Sequence, residues 1–299
     1  AIMGKAPFIE LCIEAGIPIP ESQVVRSADE AQTAAEEVGY PLMLKTSRGS
    51  AGDGVVRVGS PAELLCGFDS LSTRLPLVVQ RYVAGQVGSS SCLFYRGRLV
   101  MAVSSYKLNA WPGPFGPSSC RRMLDDGRLD PILGRLGAAA GYHGFGSVDW
   151  IEEHATGRLY LTEFNPRPTP PLSSAYAVGV NLVRALRGMI EGRPVPQAQR
   201  RPSEFRRIVH MYPQDVSRCI DEGDLGGLLA WLPGAASHDI LIAEPLICLS
   251  YLRRFARAAW AKMSARDGGQ AGAGERPIKS QSVRLASPEV SPTPRPHAA

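Results

Sequence analysis

The residues best suited to chemistry lie in Leu161-Thr162-Glu163-Phe164-Asn165-Pro166-Arg167-Pro168. Alternation along a strand puts Glu163 and Asn165 on one face with their side-chain oxygens adjacent. Upstream, Ser147-Val148-Asp149-Trp150 is separated from this stretch by the short connection His154-Ala155-Thr156-Gly157, which predicts an antiparallel hairpin with Asp149 beside Glu163. Asp149, Glu163 and Asn165 then offer a few hard oxygen ligands. Magnesium prefers such a set when water and phosphate oxygens complete its shell, so the pattern fits a metal that arrives with a nucleotide. Arg167 adds a fixed positive charge. Taken singly, each residue reads as an ordinary surface position; together they point to metal-assisted phosphate chemistry.

A second cluster surrounds Lys45, near the end of a short apolar stretch, Pro41 to Thr46. The loop that follows, Ser47-Arg48-Gly49-Ser50-Ala51-Gly52-Asp53-Gly54, lets backbone N–H groups approach phosphate oxygens without side-chain obstruction. No Lys-Ser/Thr pair follows its last glycine, so it is not a Walker A loop. It leads into a strand, so it is not a dinucleotide fingerprint. Alone, a glycine-rich connection of this kind is more often only a turn.

The elements that must position these groups alternate between strands and helices. Ser27-Ala28-Asp29-Glu30 and Ser60-Pro61-Ala62-Glu63 are capping boxes, the second with proline at the first helical position, and predict helices over 28–38 and 61–68. Strands are predicted at 41–46, 55–58, 77–82, 91–95, 99–106, 146–152 and 158–164, and further helices over 129–142 and 180–190. The fold class is therefore α+β with antiparallel sheet.

The chain has 299 residues, 44% hydrophobic and 20% charged, with a net charge of +5 spread along its length. No basic run forms a nucleic-acid stripe, so nucleic acid is not an expected partner. Six separated cysteines contain no C-x-x-C pair and read as reduced, mostly buried thiols of a cytoplasmic protein. The longest apolar stretch, Ile240 to Leu252, is broken by Glu244 and Pro245 and is too short for a membrane span. No basic segment followed by an apolar run opens the chain, and its first residue is Ala, as in a fragment. From about Asp267 to Ala299, Gly, Ser and Pro dominate, and this tail is expected to be disordered.

The order Lys45, glycine loop, Gln80-Arg81-Tyr82-Val83-Ala84-Gly85, Asp149, then Glu163-x-Asn165-Pro166-Arg167 resembles the ATP-grasp superfamily of carboxylate–amine ligases, over roughly residues 5–194. The resemblance implies two α+β subdomains with antiparallel sheets enclosing a nucleotide cleft: an ATP-grasp domain over 1–195 with its lid at about 25–82, then a helical extension over 196–266. It further implies ATP and magnesium, or manganese in its place, as cofactors, and small carboxylate and amine substrates joined through an acylphosphate. Lys5 and Lys45 would contact phosphate under a loop whose Gly49, Ser50, Ala51, Gly52 and Gly54 close over it. Gln80, Arg81, Tyr82 and Val83 would form the adenine hinge; Asp149, Glu163 and Asn165 would hold the metal; Lys45 and Arg167 would stabilise charge on the moving phosphoryl group. A homo-oligomer is compatible with this reading.

Two departures accompany the resemblance. Gln86-Val87 stands where many members place an acidic ribose ligand, and the separate α/β domain that members usually carry before the segment matching Ile2 to Ala15 is expected to be lacking. Arg121 and Arg122 either reach phosphate or the substrate carboxylate or decorate a solvated strand edge. Two other readings are an ATP-binding protein without ligase activity, and a basic amphipathic segment over 245–263 that docks on a membrane surface or partner. For that segment, simple packing of the helix on the domain is the blander account.

Overall fold

The computed structural model describes residues 4–49, 53–113, 115–124, 127–193, 207–232 and 237–239, with Leu246, Leu249, Ser250 and Arg253. The two capping boxes start helices where the sequence places them. Ser27 Oγ accepts from the Glu30 N–H at 3.1 Å, and Ser60 Oγ from the Glu63 N–H at 3.3 Å. Each glutamate reaches back one residue further than the capping serine, to Arg26 N–H and Gly59 N–H. The helices they open, α2 (Ala28–Val38) and α3 (Pro61–Leu71), cover one face of a four-stranded antiparallel sheet. That sheet runs in the order β1 (Ser22–Val25), β4 (Leu77–Arg81), β2 (Leu42–Thr46), β3 (Val55–Val58). Alternation decides its two faces: Leu42, Leu44, Val58, Leu77 and Val79 enter the core under the helices, while Lys45 and Gln80 belong to the opposite face.

The second sheet holds the metal-ligand candidates. Among the described residues it has seven strands, in the order β11 (Ser237–Asp239), β10 (Ile208–Met211), β7 (Ser118–Leu124), β6 (Arg98–Ala110), β5 (Gly85–Tyr95), β8 (Gly144–Glu153), β9 (Leu159–Asn165). A two-residue turn joins β5 to β6. Arg96 (φ 45°) and Gly97 (φ 80°) both occupy the left-handed region that such a hairpin requires. One face packs on α1 (Lys5–Glu14) and α4 (Leu129–Ala140) through Phe8, Phe94, Leu133, Trp150 and Phe164. At one end of the other face, Leu93, Val103, Met123 and Val209 pack with α6 (Leu182–Ile190) and the turn before it. The rest of that face is polar and carries the site.

Residues 208–239, inside the stretch read as a helical extension, contribute β10 and β11 as well as α7 (Gln214–Glu222) and α8 (Leu225–Leu229). Of the amphipathic segment 245–263, Leu246, Leu249, Ser250 and Arg253 are described, helical and exposed; its other residues and the tail 267–299 lie outside the described residues. No helix among the described residues is long and apolar enough to cross a membrane. Among the described residues five cysteines are free thiols, four buried and Cys66 exposed.

The centre of the large sheet depends on one close approach. Gly88 on β5 lies opposite Trp150 on β8, and the buried indole donates from Nε1 to Ser90 Oγ at 3.0 Å. A Cβ at position 88 would lie 2.3 Å from the indole ring, so only glycine lets the two strands keep this spacing. Gly88→Ala is therefore expected to lower stability by about 1–3 kcal/mol, the usual cost of overpacking a filled core. Chemical denaturation followed by tryptophan fluorescence checks this; an unchanged midpoint would show that the ring moves aside freely.

Candidate active site

The β8–β9 hairpin brings the oxygen donors together as read from sequence. Asp149 is the register partner of Glu163, and Ser147 that of Asn165, so all four side chains share the polar face of the large sheet. A register irregularity, with Asp149 opposite Glu163 and Trp150 opposite Leu161, leaves Thr162 as an extra residue on β9 and switches its alternation, so that Leu161 enters the core while Glu163 stands on the polar face beside Asp149. The negative charge of Glu163 and burial together push the Asp149 carboxyl up to about 6, burial being the larger cause.

Cations converge on this pair from separate elements. Lys5, the first residue of α1, is buried and places its Nζ 3.3 Å from Glu163 Oε1. The sequence left Lys5 open between a phosphate contact and a solvated helix start. Burial excludes the solvated reading, because the Lys5 N–H donates to Ser47 O at 2.8 Å and fixes the start of α1 against the end of β2. Lys45, partly buried on β2, donates from Nζ to Gln80 Oε1 at 2.5 Å, and Gln80 in turn donates to Ser22 Oγ at 2.8 Å. Burial brings Lys45 down to about 8, against the upward pull of Glu163 and Asp149.

Gln80 and Arg81 belong to the strand predicted there, at the end of β4. The side chain of Gln80 orients Lys45, the N–H of Arg81 is committed to Glu21 O at 2.8 Å, and that of Tyr82 to Pro41 O at 3.3 Å. Arg81 also pairs with Glu153 at 2.9 Å, joining the two sheets where the chain crosses between them. Arg57 stacks 4.7 Å over the Tyr82 ring, and Val83 is buried. At the departure noted in the sequence, Gln86 Nε2 donates to Lys107 O at 2.8 Å.

Of the glycine loop, Ser50, Ala51 and Gly52 lie outside the described residues. Its two flanks are held together by the Thr46 N–H donating to Gly54 O at 2.8 Å and by Thr46 Oγ1 donating to Arg48 O at 2.7 Å. Gly54 adopts φ 73°, and a Cβ there would strike Thr46; a Cβ at Gly49 would fall 2.5 Å from Asp53 O. Arg74 clasps Asp53 through both terminal nitrogens, at 3.1 and 2.8 Å. Arg167 is not drawn into the cluster: it is exposed, and its Nη1 donates to Pro168 O at 3.4 Å.

The structure corrects the strand-edge reading of Arg121 and Arg122. Because β10 pairs along β7, that strand lies inside the sheet. Arg121 is buried on the polar face, donating from Nη1 to Ser89 Oγ at 2.8 Å and Ser105 Oγ at 2.7 Å. Arg122 points the other way and lies 5.9 Å over the Tyr106 ring. Lys107, which sequence reasoning passed over, is the register partner of Arg121. Its signal was the two-residue step from Ser105, which puts it on the same face. Burial lowers both, Arg121 to about 10, with Asp149 pulling each back up.

The model of the family described as "Carbamoyl-phosphate synthase L chain, ATP binding domain" matches residues 4–74, which contain Lys5, Lys45 and the glycine loop. The fold resembles the biotin carboxylase domain of Hydrogenobacter thermophilus 2-oxoglutarate carboxylase, solved with MgADP and bicarbonate. The TM-score is 0.55 at 19% identity, over 69% of this chain and 49% of that one. The fold is that of the ATP-grasp enzymes. Curated relatives of this chain include acetyl-CoA carboxylase of Schizosaccharomyces pombe, 29% identical over 57% of this chain and 8% of the relative. Biotin carboxylase 1 of Bacillus subtilis is 25% identical over 52% of this chain and 38% of the relative. The matched region thus spans less than two fifths of either relative.

The raised Asp149 carboxyl gives this cluster a pH signature. Its folded value, about 6, lies above its ordinary 3.8, so the native state takes up the proton first. The charged pair therefore costs stability above pH 6, and the cost is relieved as pH falls from about 6 toward 4. In metal-free buffer, the melting-temperature difference between Asp149→Asn and the parent protein is expected to be most positive near pH 7.5 and to narrow by pH 4.5. A difference that does not change with pH would refute the carboxylate coupling.

Proposed function

We propose that this chain is the nucleotide-binding core of an ATP- and magnesium-dependent carboxylate–amine ligase. The observation that carries the reading is the convergence of Lys5, Lys45, Lys107 and Arg121, from four separate elements, around the cross-strand pair Asp149 and Glu163. Four cations for two carboxylates leave the face positive, as a polyphosphate site requires. The donor set also fits magnesium: two carboxylates and an amide oxygen on adjacent strands are hard ligands, too few to complete a shell without water and phosphate. The biotin carboxylase and carbamoyl phosphate synthase among the relatives and the MgADP in a structural neighbour support the same reading.

Asp149, Glu163 and Asn165 would hold the metal, and Lys5 would position Glu163. Magnesium bound there would neutralise charge on the phosphate oxygens. Lys45, oriented by Gln80, would contact phosphate together with Lys5. The four-stranded sheet with its glycine loop, Gly49 to Gly54, would act as the lid that excludes water. The adenine would lie against Gln80, Arg81, Tyr82 and Val83, where the carbonyl groups and the apolar Val83 remain for recognition once the Arg81 and Tyr82 amides are committed. Lys45 and Arg167 would stabilise charge as a substrate carboxylate oxygen attacks the γ-phosphorus and ADP leaves; the amine nitrogen would then displace phosphate. The side chains contribute chiefly by orienting groups and neutralising charge.

Glu163→Gln keeps the shape of the side chain and removes a metal-ligand charge. With magnesium, ATP and pooled small carboxylates and amines, ADP release by the protein expressed from its complete reading frame is expected to fall on the order of 100-fold or more in this variant, with the melting temperature nearly unchanged. Parent-like release from Glu163→Gln would remove Glu163 from the metal site.

A further inference from the structure

A carboxylate is out of place in a loop offered to phosphate, yet Asp53 stands between Gly49 and Gly54. Left bare, its charge would oppose an approaching polyphosphate. Arg74, in the 3-10 turn Ser72–Arg74 that follows α3, donates from Nη1 to Asp53 Oδ1 at 3.1 Å and from Nη2 to Oδ2 at 2.8 Å. Isolated surface ion pairs contribute little, but this two-point fork is the geometry that keeps its worth at an exposed position. The same pairing holds the Asp53 carboxyl below the usual carboxylate range.

The guanidinium also reaches the other flank of the loop. Its Nη2 donates to Arg48 O at 3.2 Å, and the same carbonyl accepts from Thr46 Oγ1. In a planar trans peptide the C=O and N–H point opposite ways, so holding Arg48 O toward Arg74 turns the Gly49 N–H away from it. The flanks are set close together: a Cβ at Gly49 would fall 2.5 Å from Asp53 O and 3.4 Å from Arg74 Nη2. Arg74 therefore fixes, from outside the loop, two residues that a glycine-rich connection leaves conformationally free. We propose that Arg74 is a positioning residue of the phosphate site: it cancels the charge of Asp53 and ties both flanks of the loop, so that phosphate meets backbone N–H groups and not a carboxylate. This rests on the phosphate role given above to the loop and adds the residue through which an acidic loop can serve it.

Calorimetry on the full chain, with magnesium and a non-hydrolysable ATP analogue at low ionic strength, tests the assignment. Arg74→Gln is expected to weaken binding roughly tenfold, a loss that shrinks as salt is raised, and to leave the affinity for adenosine unchanged. Adding Asp53→Asn to Arg74→Gln removes the exposed carboxylate and should restore most of the affinity. Parent-like binding by Arg74→Gln, an equal loss for adenosine, or no recovery in the double variant would overturn the assignment. A parent protein that binds neither the analogue nor adenosine would instead defeat the ligase reading. Magnesium pyrophosphate titrated into the same samples then decides the role of Arg74, which stands if Arg74→Gln weakens that binding and falls if the binding is unchanged or absent.

Discussion

The structure turns on one electrostatic constraint: antiparallel pairing holds Asp149 and Glu163 side by side. At a cross-strand separation of about 5 Å and an effective dielectric constant near 20, two full negative charges repel by about 3 kcal/mol. A sheet can carry that burden only if cations are fixed nearby, and here they are fixed by architecture. Lys5 is held by the backbone tie of α1 to Ser47, Lys45 by Gln80, and Arg121 by Ser89 and Ser105. Each cation belongs to a different element, so assembling the charge cluster and assembling the tertiary structure are the same event.

The packing around the cluster serves the same end. The polar face of β5 must lie flat beside β8 for Ser89 to face Asp149, and Gly88 against the Trp150 indole secures this. Both faces of β5 use serine: Ser90 satisfies the indole N–H and pairs with Ser104, while Ser89 faces the guanidinium. Small hydroxyl residues in a central strand would be poor core material alone. Here they satisfy buried donors that a larger apolar residue would leave unpaired.

Much of this was legible in the sequence because the signals were local. The capping boxes at Ser27 and Ser60 and the short connection between β8 and β9 each depend on neighbouring residues, and the hairpin register followed from loop length. The pairing of β10 with β7 was not legible, since four residues near position 208 carry no record of a partner some ninety positions away. That omission also misplaced Arg121: without β10, strand β7 looked like a solvated edge, and an arginine there looked ordinary. Residues whose role depends on a long-range strand partner are the ones that periodicity cannot place.

The two sheets divide the labour unequally, and the division bears on how the site would close. Asp149, Glu163, Lys107 and Arg121 belong to the large sheet, whereas Lys45 and the glycine loop belong to the four-stranded sheet. Lys5 stands between them, bonded by backbone to Ser47 on one side and by charge to Glu163 on the other. Arg81 and Glu153 make the second tie at the crossing point. One tie lies at Glu163 and the other at the hairpin end of β8, so movement of the small sheet about them would change the position of Lys45 relative to Asp149 and Glu163. A polyphosphate entering between the sheets would meet cations on both walls, and its charge would draw them together.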